Sequence, residues 1–163
     1  MFQGLAEDMA DSHFQEYDLI IHFELIEHLF DPVLFIRSIH NMLKPGGVMI
    51  FTTPNILGLD NQALGYNSIR YLAHAIFPPM HLNAFSTQNI THFLIMNNFM
   101  ISEIKTPGVF DIDMLSLCEE DIDSPIFKDL ALLDEDVKAL VQEFVIHMGI
   151  SSHMQCVAKK ENV

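Results

Sequence analysis

Glu24, Glu27 and His28 stand in the run Glu24-Leu25-Ile26-Glu27-His28, and their types and spacing could do chemistry. On a helix, positions i, i+3 and i+4 share one side, so two carboxylates and an imidazole would converge while Leu25 and Leu29 pack inward. Carboxylates suit hard divalent cations, and an imidazole widens the choice toward manganese, iron or zinc. The same three residues could instead form a general base, with Glu27 orienting His28 as the proton acceptor. A merely solvated surface turn has this spacing too, and spacing alone leaves the three open.

The surrounding elements must hold this run at the end of a strand. Tyr17 to Phe23 (YDLIIHF) is a short, mostly apolar run, the pattern of a parallel strand covered on both faces. Asp31-Pro32 then supplies a cap and a first-turn proline for a helix carrying Phe35, Ile36, Ile39, Met42 and Leu43, ending near Lys44. Lys44-Pro45-Gly46-Gly47 is turn chemistry, and Val48 to Thr53 reads as a second buried strand. Strand, helix, turn and strand make a βαβ unit with parallel strands. In open α/β sheets ligands sit beyond the carboxyl ends of the strands, which is where Glu24 follows Phe23.

Farther along, residues 54–85 are irregular and read as a lid or substrate segment, with a weakly amphipathic stretch from Asn67 to Ile76. Ser86 can cap a helix carrying Ile90, Phe93, Leu94 and Asn97, with Asn98 a left-handed stop before a strand at about Phe99 to Thr106. Residues 111–150 read as a helical insertion before the last strand. The acidic run Asp111, Asp113, Glu119, Glu120, Asp121 and Asp123 has no calcium-loop glycine and reads as a solvated face. Ser124-Pro125 can start a helix, and Val137, Leu140, Val141, Phe144, Val145 and Met148 trace an apolar stripe. His153 to Lys159 reads as a final strand.

Composition narrows the partners. Twenty-two acidic residues against eight Lys and Arg leave a formal net charge of −14, and phosphate backbones and anionic membranes need clustered cations. Nucleic-acid and membrane-surface binding are therefore not expected. No apolar run approaches the roughly 20 residues that span a bilayer, and the first residues carry neither a basic nor an apolar leader region. Cys118 and Cys156 are too few and too far apart for a disulfide framework or a zinc knuckle. A single domain over residues 1–163, in the cytoplasm, is the expectation.

The stretch YDLIIHFELIEHLFDPVLFIRSIHNMLKPGGVMIFTTPN resembles the fourth and fifth strands of class I S-adenosylmethionine-dependent methyltransferases, in particular the small-molecule group with an ExxEH turn and an LKPGG turn. His81-Leu82-Asn83-Ala84-Phe85-Ser86 is similar to that family's histidine-containing loop, and Ser151-Ser152-His153-Met154 to the start of its final strand. The resemblance implies an α/β fold: a partial Rossmann-like sheet of strands equivalent to 4-5-7-6 with flanking helices. It implies S-adenosylmethionine as cofactor, with Phe23 and Glu24 beside it, and a small-molecule acceptor. Relatives with this turn, including ubiquinone-pathway and small-RNA O-methyltransferases, hold a divalent metal such as magnesium, which maps here onto Glu24, Glu27, His28 and His81.

The family's glycine-rich cofactor loop has no counterpart among these residues, and its adenine-contacting Asp would fall at Leu5. A truncated methyltransferase, inactive alone, is thus the first expectation. A non-catalytic oligomerisation module and a metal-dependent hydrolase or lyase working without adenosylmethionine are the others. The Tyr17–Phe23 strand would then lie at an apolar sheet edge, and such edges recruit other strands. A symmetric homodimer through residues 17–23 is expected.

Overall fold

The turn chemistry of Lys44-Pro45-Gly46-Gly47 takes an unexpected form in the computed structural model, which describes residues 4–65 and 78–161. It forms a bulge inside a strand and does not separate helix from strand. The first strand, β1 (Tyr17–Phe23), pairs in parallel with β2 (Leu43–Pro54). Tyr17 lies opposite Leu43 and Leu19 opposite Val48, so residues 44–47 loop out between two paired stretches. Gly46 takes φ +77°, the left-handed conformation that favours glycine.

A short helix, α1 (Ala6–Met9), precedes β1, and α2 (Pro32–Met42) links β1 to β2. Asp31 caps α2 by accepting from the Leu34 amide at 2.8 Å. At the other end Lys160 donates to the carbonyls of His40 and Leu43 at 2.7 and 2.9 Å, where unpaired carbonyls attract a cation. After β2 come α3 (Leu59–Leu64), α4 (Thr87–Met96) and β3 (Phe99–Lys105). Ser86 and Asn89 form a reciprocal capping box on α4, and Asn98 stops it at φ +64°. Helices α5 (Asp111–Leu117), α6 (Pro125–Ala131) and α7 (Glu135–His147) then lead to β4 (His153–Lys160).

The sheet order is β1-β2-β4-β3, with β4 antiparallel to both neighbours. This is the expected 4-5-7-6 arrangement of a Rossmann-like α/β sheet with flanking helices. An antiparallel strand starts where its parallel neighbours end, so the beginning of β4 shares one edge of the sheet with the carboxyl ends of β1, β2 and β3. Pro54 accordingly lies opposite His153.

Burial departs from the expected two-sided cover. Met49, Phe51 and Thr53 of β2 and Met154, Cys156 and Ala158 of β4 are buried, while the residues between them are half-buried. The period of two marks a sheet with one fully covered face, and α2 and α4 supply the cover through Phe35, Ile36, Ile39, Ile90 and Leu94. On β1, Leu19, Ile21 and Phe23 are 48, 49 and 64% exposed. Nothing among the described residues packs over that face, which corrects the expectation of a strand covered on both sides.

Two further corrections concern the helical region. Asp111, read as part of a solvated acidic face, is fully buried; its carboxylate accepts from Ser151 Oγ at 2.6 Å, the Ser152 amide at 2.6 Å and Gln142 Nε2 at 2.7 Å. The stripe on α7 is buried only at Val145 and half-buried at Val141, with Val137, Leu140, Phe144 and Met148 exposed. Ile112, Leu115, Cys118, Ile122, Ala131 and Val145 form a satellite cluster apart from the main core. The stretch from Asn67 to Ile76 lies outside the described residues.

Asp111 ties the insertion to the start of β4, and removing it strips their acceptor from the Ser151 hydroxyl and the Ser152 amide, while Gln142 Nε2 keeps the Gly108 carbonyl. Asp111→Ala is expected to lower unfolding stability by on the order of 3 kcal/mol, read by urea denaturation.

Candidate functional site

Glu27 sits in a single 3-10 turn, Ile26–His28, at the carboxyl end of β1. The expected α-helix does not form here. Glu24 holds φ +45°, and its amide donates to the Thr52 carbonyl at 3.0 Å, extending the β1–β2 ladder by one step. The chain therefore reverses at Glu24 and begins its turn only at Ile26. Ile26 is driven fully into the core while Leu25 and Leu29 are only partly buried, and Glu24 leaves the face that carries Glu27 and His28.

The turn is fixed from outside. The amides of Leu82 and Asn83 both donate to the Glu27 carbonyl, at 2.8 and 2.9 Å, and the Asn83 side chain donates to the Leu29 carbonyl at 2.6 Å. This clamp brings His81 against His28, with ring centroids 4.5 Å apart. His28 Nδ1 contacts the Met80 carbonyl. A carbonyl only accepts, so Nδ1 carries the hydrogen, and in the neutral ring the lone pair lies on Nε2.

Glu27 is buried, with one carboxylate oxygen accepting from Thr53 Oγ1 at 2.8 Å. Its other oxygen, Oε1, is buried with no hydrogen-bond partner among the described residues and lies 3.7 Å from His28 Nε2. One ligand atom each from Glu27, His28 and His81 lies within 4.8 Å of the others. The structure thus brings together three of the four metal candidates. An orphaned carboxylate oxygen facing an imidazole whose far nitrogen is already engaged is the donor chemistry that a divalent cation needs, so these residues fit the group.

Glu24, the fourth candidate, is elsewhere: its Oε2 lies 3.4 Å from His153 Nε2. Burial would push the Glu24 carboxyl up, but hydrogen bonds from His153 and Thr52, with the charges of His153 and His81, outweigh it and hold the carboxyl below its ordinary value. His153 is raised in turn, chiefly by that hydrogen bond and against burial, with Glu24, Asp60 and Asp111 adding negative charge. Asp60, in the first turn of α3, is pushed up to about 6, mainly by burial and further by Asp111. Phe23, a cofactor-contact candidate, ends β1 with its ring largely exposed beside these groups.

His153 and Asp60 were not among the candidates. The available clue was topological: β4 had to run antiparallel for its first residue to reach this edge. Gly58 permits the approach, since a Cβ there would collide with the Ser152 backbone.

A methyltransferase-domain family model matches residues 2–103. The ubiquinone biosynthesis O-methyltransferase of Pseudomonas savastanoi pv. phaseolicola is 44% identical over 53 residues, which are 32% of this chain and 23% of that protein. The Ruegeria pomeroyi enzyme of the same name is 38% identical over 50 residues, 31% of this chain and 20% of that one. The chain therefore aligns with under a quarter of the length of these curated relatives. Among solved structures, an S-adenosylmethionine-dependent methyltransferase from Archaeoglobus fulgidus superposes with a TM-score of 0.57 at 17% identity, covering 98% of this chain and 66% of that one. Haemonchus contortus phosphoethanolamine N-methyltransferase 2, in complex with S-adenosylmethionine, superposes at 0.54 and 17% identity over 91% of this chain and 34% of that one. These likenesses show the fold.

Asp60 yields a pH dependence. Its folded value of about 6 exceeds its ordinary 3.8, so the folded state binds more protons between those values and the charged form is destabilising above pH 6. Asp60→Asn is expected to gain on the order of 2 kcal/mol at pH 7, and urea melts at pH 4 to 7 should show the gain vanish toward pH 4.

Proposed function

The chain belongs to the methyltransferase-domain family, and from that premise we propose that it serves the acceptor side of S-adenosylmethionine-dependent methyl transfer to a hydroxyl of a small molecule. The observation that carries this reading is the cluster of Glu27, His28 and His81 at the carboxyl end of β1, with Glu27 Oε1 buried and accepting no hydrogen bond among the described residues. Supporting it, the curated relatives matched at 44 and 38% identity are O-methyltransferases.

A divalent cation held by Glu27, His28 and His81 would polarise the acceptor oxygen and ease loss of its proton. Two imidazoles with one carboxylate favour manganese, iron or zinc over magnesium. The chain's own groups do the rest. Thr53 and the Asn83 clamp fix Glu27, and the Met80 carbonyl fixes the His28 ring. Where no cation is bound, the Met80 carbonyl holds the His28 ring with its basic Nε2 free to take a proton as a general base. Phe23 and Glu24, at the end of β1, would line the cofactor's side of the site.

Calorimetric titration with Mn²⁺ tests the site: saturable binding is expected, weakened about 10-fold or more by Glu27→Gln. Unchanged affinity in that variant would remove the metal. The chain contains no GxGxG run, and binding of S-adenosylmethionine by it alone is expected to be weaker than about 1 mM.

Self-association is part of the proposal. β1 ends the sheet order with an open backbone edge and exposed Leu19, Ile21 and Phe23, and unpaired edges recruit strands. A symmetric dimer through residues 17–23 is expected in light scattering at micromolar concentration, and a monodisperse monomer would sink it. No helix among the described residues is long and apolar enough to cross a membrane. Two buried thiols, Cys118 and Cys156, suit a reducing cytoplasmic setting.

A further inference from the structure

Glu24 is the residue on which family resemblance and geometry disagree. The resemblance makes it a fourth ligand beside Glu27, His28 and His81, whereas the structure turns its carboxylate toward His153 at 3.4 Å and leaves it out of the group whose donor atoms converge. Three features hold it there. The left-handed backbone at Glu24 swings the side chain off the Glu27 face, and a backbone with φ +45° in a non-glycine residue is retained only where its surroundings enforce it. The Glu24 amide is anchored to the Thr52 carbonyl. The imidazole that meets the carboxylate comes from the first residue of β4, whose place is set by the register opposite Pro54.

We propose that His153 is a positioning residue that withholds Glu24 from the metal cluster, so that the cation is held by two imidazoles and one carboxylate and keeps open coordination positions. This rests on the metal reading of the site. Its chemical consequence is specific. Catalytic metal sites commonly use three protein ligands and leave a position for water or substrate, and a second carboxylate would occupy that position and lower the cation's positive charge toward the acceptor. With Glu24 diverted, the coordination positions left open would suit an acceptor that chelates through two neighbouring oxygens. Glu24, still anionic beside the site, would then act on the acceptor or cofactor through its charge and not as a ligand.

Mn²⁺, followed by electron paramagnetic resonance, is the probe, with the intact chain and five variants. His28→Ala should weaken binding about 10-fold or more, while Glu24→Gln should change it less than about 2-fold, since Glu24 makes no bond to the ion. His153→Ala frees Glu24 to join and should tighten binding about 10-fold by the added ligand charge. That gain should disappear in the His153→Ala, Glu24→Gln double variant. His153→Asn, which keeps a side-chain donor, should behave as the unaltered chain, an outcome that a purely structural role for His153 would not produce. The inference is overturned if Glu24→Gln weakens binding as much as His28→Ala, or if His153→Ala leaves the affinity unchanged. No saturable Mn²⁺ binding in any form overturns the metal reading itself and this inference with it, which separates the two failures. His28, His153 and Glu24 are all partly exposed, so the variants leave the core intact.

Discussion

Three hydrogen bonds from Leu82 and Asn83 to the carbonyls of Glu27 and Leu29 are the interaction on which the site depends. A 3-10 turn of three residues has almost no internal cohesion, and its carbonyls need outside donors. Leu82 and Asn83 supply them, and His81, the residue before, comes into contact with His28 as a consequence. The geometry of the candidate site and backbone satisfaction are therefore the same event. The turn cannot be loosened without moving the histidines apart, and the loop cannot leave without exposing unpaired carbonyls at the end of β1.

Around that clamp the sheet works as a collector. Parallel β1 and β2 deliver Glu24, Thr52 and Thr53 to one edge, and the antiparallel β4 delivers His153 to the same edge from a point more than a hundred residues later. Asp111 extends the arrangement by holding Ser151 and Ser152 at the start of β4. The burial there is costly in charge, and the raised Asp60 carboxyl records the cost. A fold chosen for stability alone would not gather this many carboxylates and imidazoles within one rim.

Much of the frame was legible because local chemistry and global architecture agree. Asp31-Pro32, Ser86 and Asn98 each encode a cap or stop that any helix would need at that point, and each acts as expected. The strand order followed from family resemblance, since pairing partners leave no local trace. The failures have a common cause. Glu24, Glu27 and His28 satisfy a helical spacing, yet one extra ladder bond from Glu24 to Thr52 outweighs helix propensity and breaks the spacing. Asp111 looked solvated because its neighbours are; its partners Gln142, Ser151 and Ser152 lie thirty to forty residues away and only tertiary packing brings them in. Leu19, Ile21 and Phe23 read as core because apolar runs say nothing about whether a partner surface is at hand.

The two cysteines offer a different kind of information. Cys156 lies at the centre of β4 in the main core, its thiol pushed up to about 12 by burial, while Cys118 sits in the satellite cluster beside α6. A buried thiol of that kind reacts only when its surroundings open. Alkylation at Cys118 thus reports opening of the satellite cluster, which includes Ala63 and Leu64 of α3, and alkylation at Cys156 reports loss of the sheet. The two thiols thus form a pair of clocks, one in each cluster, and the separation of their alkylation rates measures how far the Asp111 tie couples the two parts.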